Sequence, residues 1–128
     1  MADALFDTTV FIDYYREDPS AQALMNAVLE GSLKASYSSL TSFEIWIGIS
    51  SAEEEVDYLG IMGPLEEVPL TASMARVAAG WLRSLSAGQS EALFRDALIA
   101  ATAAERGETI YTRNVRDFTR LYPNVRRY

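Results

Sequence analysis

Ala4-Leu5-Phe6-Asp7-Thr8-Thr9-Val10-Phe11-Ile12-Asp13 is the stretch from which the rest of the chain is read. Its first four residues form a short apolar run ending on a charge, as a buried strand does where it leaves the core. Thr8 or Thr9 then starts a helix with no intervening loop. A strand running straight into a helix opens a β-α-β unit.

Working outward, the same alternation recurs. Pro19-Ser20 begins a helix through about Glu30, which Gly31 ends. Lys34–Ser38 reads as a second strand. Helices follow over about Leu40–Ser50 and Ala52–Leu59, with breaks at Gly60 and at Gly63-Pro64. Leu65–Leu70 reads as a third strand, Thr71 to about Ser86 and Ser90–Arg106 as helices, and Gly107 as the cap of the latter. A fourth strand spans Thr109–Thr112, a short helix Val115–Leu121, and an extended segment comes last. The expectation is one α/β domain over residues 1–128, with a largely parallel sheet of four or five strands covered by helices on both faces.

Composition narrows the chemistry. The 128 residues contain no cysteine and no histidine. That excludes a disulfide framework, thiolate sites, Ser-His-Asp and Cys-His catalysis and the common zinc sites. A bound metal would rest on carboxylates, carbonyls and water, which favours Mg²⁺ or Mn²⁺. No apolar run approaches the ~20 residues of a membrane span. The N-terminal Met1-Ala2-Asp3-Ala4 lacks a positive region like that of a signal peptide, so a cytoplasmic protein is expected. The net charge of −7 is unevenly spread. Residues 1–94 carry four basic against fourteen acidic residues; residues 95–128 carry seven arginines against four acids. A basic portion beside an acidic site suits a phosphate backbone approaching metal ions, and equally describes an arginine-rich solvated surface.

Four acids stand where an open α/β sheet would gather them. Ligand sites in such sheets lie beyond the carboxyl ends of the strands. Asp7 ends the first strand and Asp117 follows the last clear one. Either, alone, is also an ordinary cap or turn residue. Glu44 shares a helix face with Leu40 and Ile47, an apolar face expected to point inward. A buried carboxylate there needs a basic partner or a metal. Asp96 opens the alanine-rich Asp96–Ala103 stretch, whose small side chains permit close approach to the sheet; an acid there also suits the helix dipole. Glu53-Glu54-Glu55 reads as a solvated face, and Asp13 is expected to face water. Trp46, Trp81 and the tyrosines read as core or interface residues.

Three segments then carry a resemblance across essentially the whole chain: Leu5–Asp13, Asp96–Ala103 and Thr112-Arg113-Asn114-Val115-Arg116-Asp117-Phe118, with Glu44 between the first two. In this order they resemble the PIN-domain family, and most closely its VapC-type toxins. The resemblance implies a three-layer α/β/α sandwich and a metal-dependent endoribonuclease that hydrolyses RNA phosphodiesters. Its metal-binding and catalytic acids fall on Asp7, Glu44, Asp96 and Asp117. Thr8, Thr112 and Asn114 fall at supporting positions. The residue after Thr8 is often Asn in the family; here it is Thr9, whose hydroxyl can still bond a carboxylate. The relative directness of Asn114 and Asp117, and the choice of one ion or two, stay open. The resemblance also implies a cognate antitoxin and a homodimer. An apolar groove for the antitoxin is expected on the early helices, with Phe11, Tyr14, Tyr15, Trp46 and Ile49 as candidates. The alternative is a catalytically degenerate scaffold that binds protein or RNA. A phosphoacceptor receiver would want a lysine after a late strand, but the chain's only lysine is Lys34. A haloacid-dehalogenase-like phosphatase would want Asp-x-Asp where the chain has Asp7-Thr8-Thr9.

Overall fold

Ala4, Leu5 and Phe6 are all fully buried, which places their strand, β1 (Ala4–Phe6), at the centre of the sheet. It is flanked by β2 (Ala35–Ser38) and β4 (Thr109–Tyr111). Outside these lie β3 (Glu66–Val68) and β5 (Val125–Arg126), giving the order β3-β2-β1-β4-β5 with every pairing parallel. The structure is a computed structural model and describes residues 3–85 and 90–128.

Side chains alternate across a strand, and β1 divides its three residues between two cores. Leu5 packs with Met74 and Ala78 of α5 (Ala72–Ser84), with Leu93, Ala97 and Ile99 of α6 (Glu91–Arg106), and with Phe118 of α7 (Val115–Thr119). Ala4 and Phe6 join Val10 and Phe11 of α1 (Thr8–Tyr15), Met25 of α2 (Pro19–Leu29) and Tyr58 and Met62 of α4 (Ala52–Met62). Helix α3 (Ser39–Ile47) contributes Leu40 to the first core and Ile45 to the second. The expected three-layer α/β/α sandwich is therefore present, with five strands.

Several boundaries differ from expectation for local reasons. The helix from Leu40 stops at Ile47, where Gly48 closes it and Ser51 caps α4 by accepting from the Glu54 amide at 3.1 Å. Gly60 does not break the chain but sits exposed inside α4; the break falls at Gly63-Pro64. The helix expected to reach Ser86 ends at Ser84, and Ser86 lies outside the described residues. Gly107 caps α6 in the left-handed conformation, with φ 67°.

At the amino end of the sheet, Glu108 is fully buried. Its carboxylate accepts from the Ser36 hydroxyl at 2.9 Å and from Arg106 Nε at 3.1 Å, and its carbonyl accepts from the Tyr122 hydroxyl at 2.8 Å. Burial pushes its pKa up, while the Ser36 and Arg106 bonds oppose the rise. This clamp ties β2, β4 and α6 together at the end opposite the acids discussed next.

Candidate active site

Phe6 and Tyr111 are register partners in the β1–β4 pair, so the residues that follow them emerge side by side. These are Asp7 and Thr112. The Asp7 amide donates to the Tyr111 carbonyl at 3.1 Å, and the Thr112 hydroxyl donates to Asp7 Oδ2 at 2.8 Å. Asp7 also caps α1: its Oδ1 accepts from the Thr8 amide at 2.7 Å, and Oδ2 accepts from the Thr9 hydroxyl at 3.1 Å. The helix cap and the acid expected at the site are thus one carboxylate. Burial raises its pKa, the hydrogen bonds from Thr112, Thr8 and Thr9 oppose the rise, and the nearby Glu44 charge adds to it.

Glu44 reaches the same place from α3. The Thr8 hydroxyl donates to its Oε1 at 2.9 Å and lies 3.0 Å from the Thr41 hydroxyl. The inward face of α3 is not the expected one. Thr41 and Ile45 are its buried residues, whereas Ile47 is 68% exposed. Glu44 stands at the rim, and the basic partner that its burial called for is Arg95, which donates to Oε2.

Asp96 and Asp117 are joined by one amide. Asn114 Nδ2 donates to Asp96 at 3.1 Å and to Asp117 at 3.2 Å, while the Asn114 backbone amide donates to the Thr112 hydroxyl at 2.9 Å. Asn114 is thus the bridge between the two carboxylates. The Asp96 pKa is pushed up to about 7, first by burial, then by the Asp7 and Asp117 charges and more weakly by Glu44; Arg95 opposes the rise. All seven residues expected at the site therefore lie in one place. A continuous chain of hydrogen bonds links Glu44 to Thr8, Asp7, Thr112, Asn114 and the Asp96–Asp117 pair.

Two residues of this network went unread in the sequence. Arg95 is fifty-one residues from Glu44, and Thr41 looks like any helix residue until Thr8 is packed against it. A third difference concerns Asp13. Instead of facing water alone, it accepts from Arg113 Nε at 2.8 Å and from the Tyr128 hydroxyl at 2.7 Å. Arg113 also grips Asp18 at 2.7 Å and lies over the Tyr128 ring at 4.7 Å. The arginine-rich portion is therefore partly neutralised, since Arg95, Arg106 and Arg113 are all ion-paired. Arg116 and Arg120 are exposed, and among the described residues neither forms an ion pair.

An all-oxygen donor set with no histidine or cysteine matches a hard divalent cation in kind. Among the described residues, no three carboxylates are gathered tightly enough to hold one ion as they stand. Glu44 is turned to Arg95, and Asp96 and Asp117 share Asn114.

Away from the acids, α3 and α4 leave an apolar groove of about 440 Å³ lined by Tyr37, Phe43, Trp46, Leu59 and Met62. Phe43 is 61% and Leu59 55% exposed. Of the expected groove residues, Trp46 lines it, but Phe11 is wholly in the core and Tyr15 stacks on Tyr58 at 4.8 Å.

These elements define an α/β sandwich with an acidic network at the carboxyl end of its parallel sheet, and comparison with known proteins fixes the family. The PIN domain model matches residues 4–122, and the chain belongs to that family. Ribonuclease VapC19 of Mycobacterium tuberculosis is 27% identical over 124 residues, covering 94% of this chain and 95% of that protein. A toxin–antitoxin complex from Klebsiella pneumoniae contains a chain of the same fold. Its TM-score is 0.77 at 22% identity, covering 96% of this chain and 95% of that one. DNA-bound VapBC from Salmonella typhimurium matches with a TM-score of 0.77 at 23% identity, covering 100% and 98%.

Proposed function

We propose that this chain is a VapC-like toxin, a Mg²⁺- or Mn²⁺-dependent endoribonuclease that hydrolyses RNA phosphodiester bonds and is restrained by a cognate antitoxin in the cytoplasm. The observation that carries this reading is the single hydrogen-bonded network joining Asp7, Glu44, Asp96 and Asp117 at the carboxyl end of the sheet, in a PIN domain. The resemblance to Ribonuclease VapC19 supports RNA as the substrate.

The four carboxylates would hold the ion. When bound, a divalent cation activates water for attack and offsets the charge growing on the phosphoryl oxygens. The protein's own residues prepare that chemistry. Thr112 and the Thr8 amide fix the Asp7 carboxylate from opposite sides. Thr8 steers Glu44 toward Asp7, and Asn114 keeps Asp96 and Asp117 paired despite their repulsion. With its pKa pushed up to about 7, Asp96 would give up a proton on holding the ion, so affinity for Mn²⁺ is expected to rise with pH through about 7. Arg116 on α7 and Arg120 at its C-cap, both exposed, suit the RNA backbone.

The α3–α4 groove suits an apolar helix of the antitoxin, and a homodimer is the expected assembly. The deciding experiment is cleavage of RNA by the purified protein with Mn²⁺ and with EDTA, beside Asp7→Asn. Mn²⁺-dependent cleavage lost in the variant is expected. RNA binding without cleavage would favour the degenerate scaffold instead.

A further inference from the structure

Both oxygens of Glu44 are committed: Oε1 accepts from Thr8 and Oε2 from Arg95. Among the described residues, Arg95 is the one cation ion-paired with any of the four site carboxylates. It directly precedes Asp96 on α6, so this helix supplies both the cation that meets Glu44 and one of the four acids. The two partners are held very differently. The Arg95 side chain is 51% exposed and that of Glu44 only 15%. Glu44 is further fixed by Thr8, whereas the guanidinium has bulk water behind it and can withdraw on its flexible stem.

We infer that Arg95 is the resident counter-ion of Glu44, a positioning residue that a divalent cation must displace before Glu44 can serve as a ligand. This rests on the metal-dependent reading above. In the metal-free protein Arg95 offsets the repulsion of the carboxylates and occupies one oxygen of Glu44. When the ion binds, Glu44 exchanges one cation for another and the guanidinium moves outward. Arg95 therefore stabilises the empty site and weakens its affinity for the ion.

The test is calorimetric titration of Mn²⁺ into wild type, Arg95→Gln and Arg95→Lys, with melting temperatures in EDTA. Removing the charge that competes for Glu44 should tighten the dissociation constant about tenfold in Arg95→Gln. The same variant should melt lower without metal, and lysine should restore both properties toward wild type. An arginine that only packs would give an unchanged or weaker affinity for Mn²⁺. Arg95→Met keeps the stem and serves if the glutamine variant does not fold. In a Glu44→Gln background the effect of Arg95→Gln should shrink; an undiminished effect would overturn the role assigned to the pair. If wild type binds Mn²⁺ and Arg95→Gln binds no tighter, the counter-ion role falls and the nuclease reading stands. If neither binds Mn²⁺, both fall.

Discussion

Asp7 caps α1 with the same carboxylate that is proposed to hold the ion. Asparagine caps a helix about as well as aspartate, and Asp7→Asn keeps the acceptor facing the Thr8 amide. It also removes one charge from a site where burial and Glu44 already disfavour it. Asp7→Asn is therefore expected to melt at the same temperature as wild type or higher in EDTA, to bind Mn²⁺ weakly and to lose RNA cleavage. Full cleavage with contaminating nuclease excluded would refute the proposed site. Asp96 gives a second residue-scale expectation. Its pKa is about 7 when folded against an ordinary 3.8. The folded protein thus keeps a proton that the unfolded chain gives up. This contribution is complete below the ordinary value and is lost as pH rises through about 7. Denaturant unfolding in EDTA should show wild type losing stability between about pH 5 and about pH 7 relative to Asp96→Asn. A difference that does not vary with pH would mean that Asp96 titrates normally.

At the scale of elements, the strands and helices were legible because each carries a local signal. Asp7, Ser51 and Ser90 cap helices where their side chains predict, and Gly107 closes α6. The candidate acids were legible because a carboxylate after a buried strand, or inside an apolar helix, is locally out of place. Their partners were not. Arg95, Thr41 and the Asp13–Arg113 pair depend on which helix lies over which strand, and that order is not written in any window of sequence. The apolar face of α3 was misjudged for the same reason. Spacing places Ile47 beside Glu44, but only tertiary packing decides that Thr41 and Ile45 turn inward. Glu108 is the clearest omission, an acid just before β4 that no local signal marks and that is fully buried. Because its clamp lies at the amino end of the sheet, it separates stability from function. Arg106→Ala strands the buried carboxylate and should cost about 3 kcal/mol. Mn²⁺ affinity and cleavage by the remaining folded protein should stay near wild type. Equilibrium unfolding checks the first outcome and calorimetry with RNA cleavage the second.

For the molecule as a whole, the proposed metal dependence would couple stability to the ion. A cation that binds only the folded arrangement should stabilise it by about 2.7 kcal/mol at a hundredfold excess over its dissociation constant. Melting with and without Mn²⁺ measures this, and an unchanged melting temperature at saturation would contradict it. The strand order carries another consequence. Thr112 donates to Asp7 across 105 residues of chain, and β1 can pair with β4 only when both exist. Translation delivers the amino-terminal half first. While the polypeptide is still being made, Asp7 has neither Thr112 beside it nor Asp117 nearby. Until residues 112–117 have emerged, the nascent chain is therefore expected to lack the proposed site.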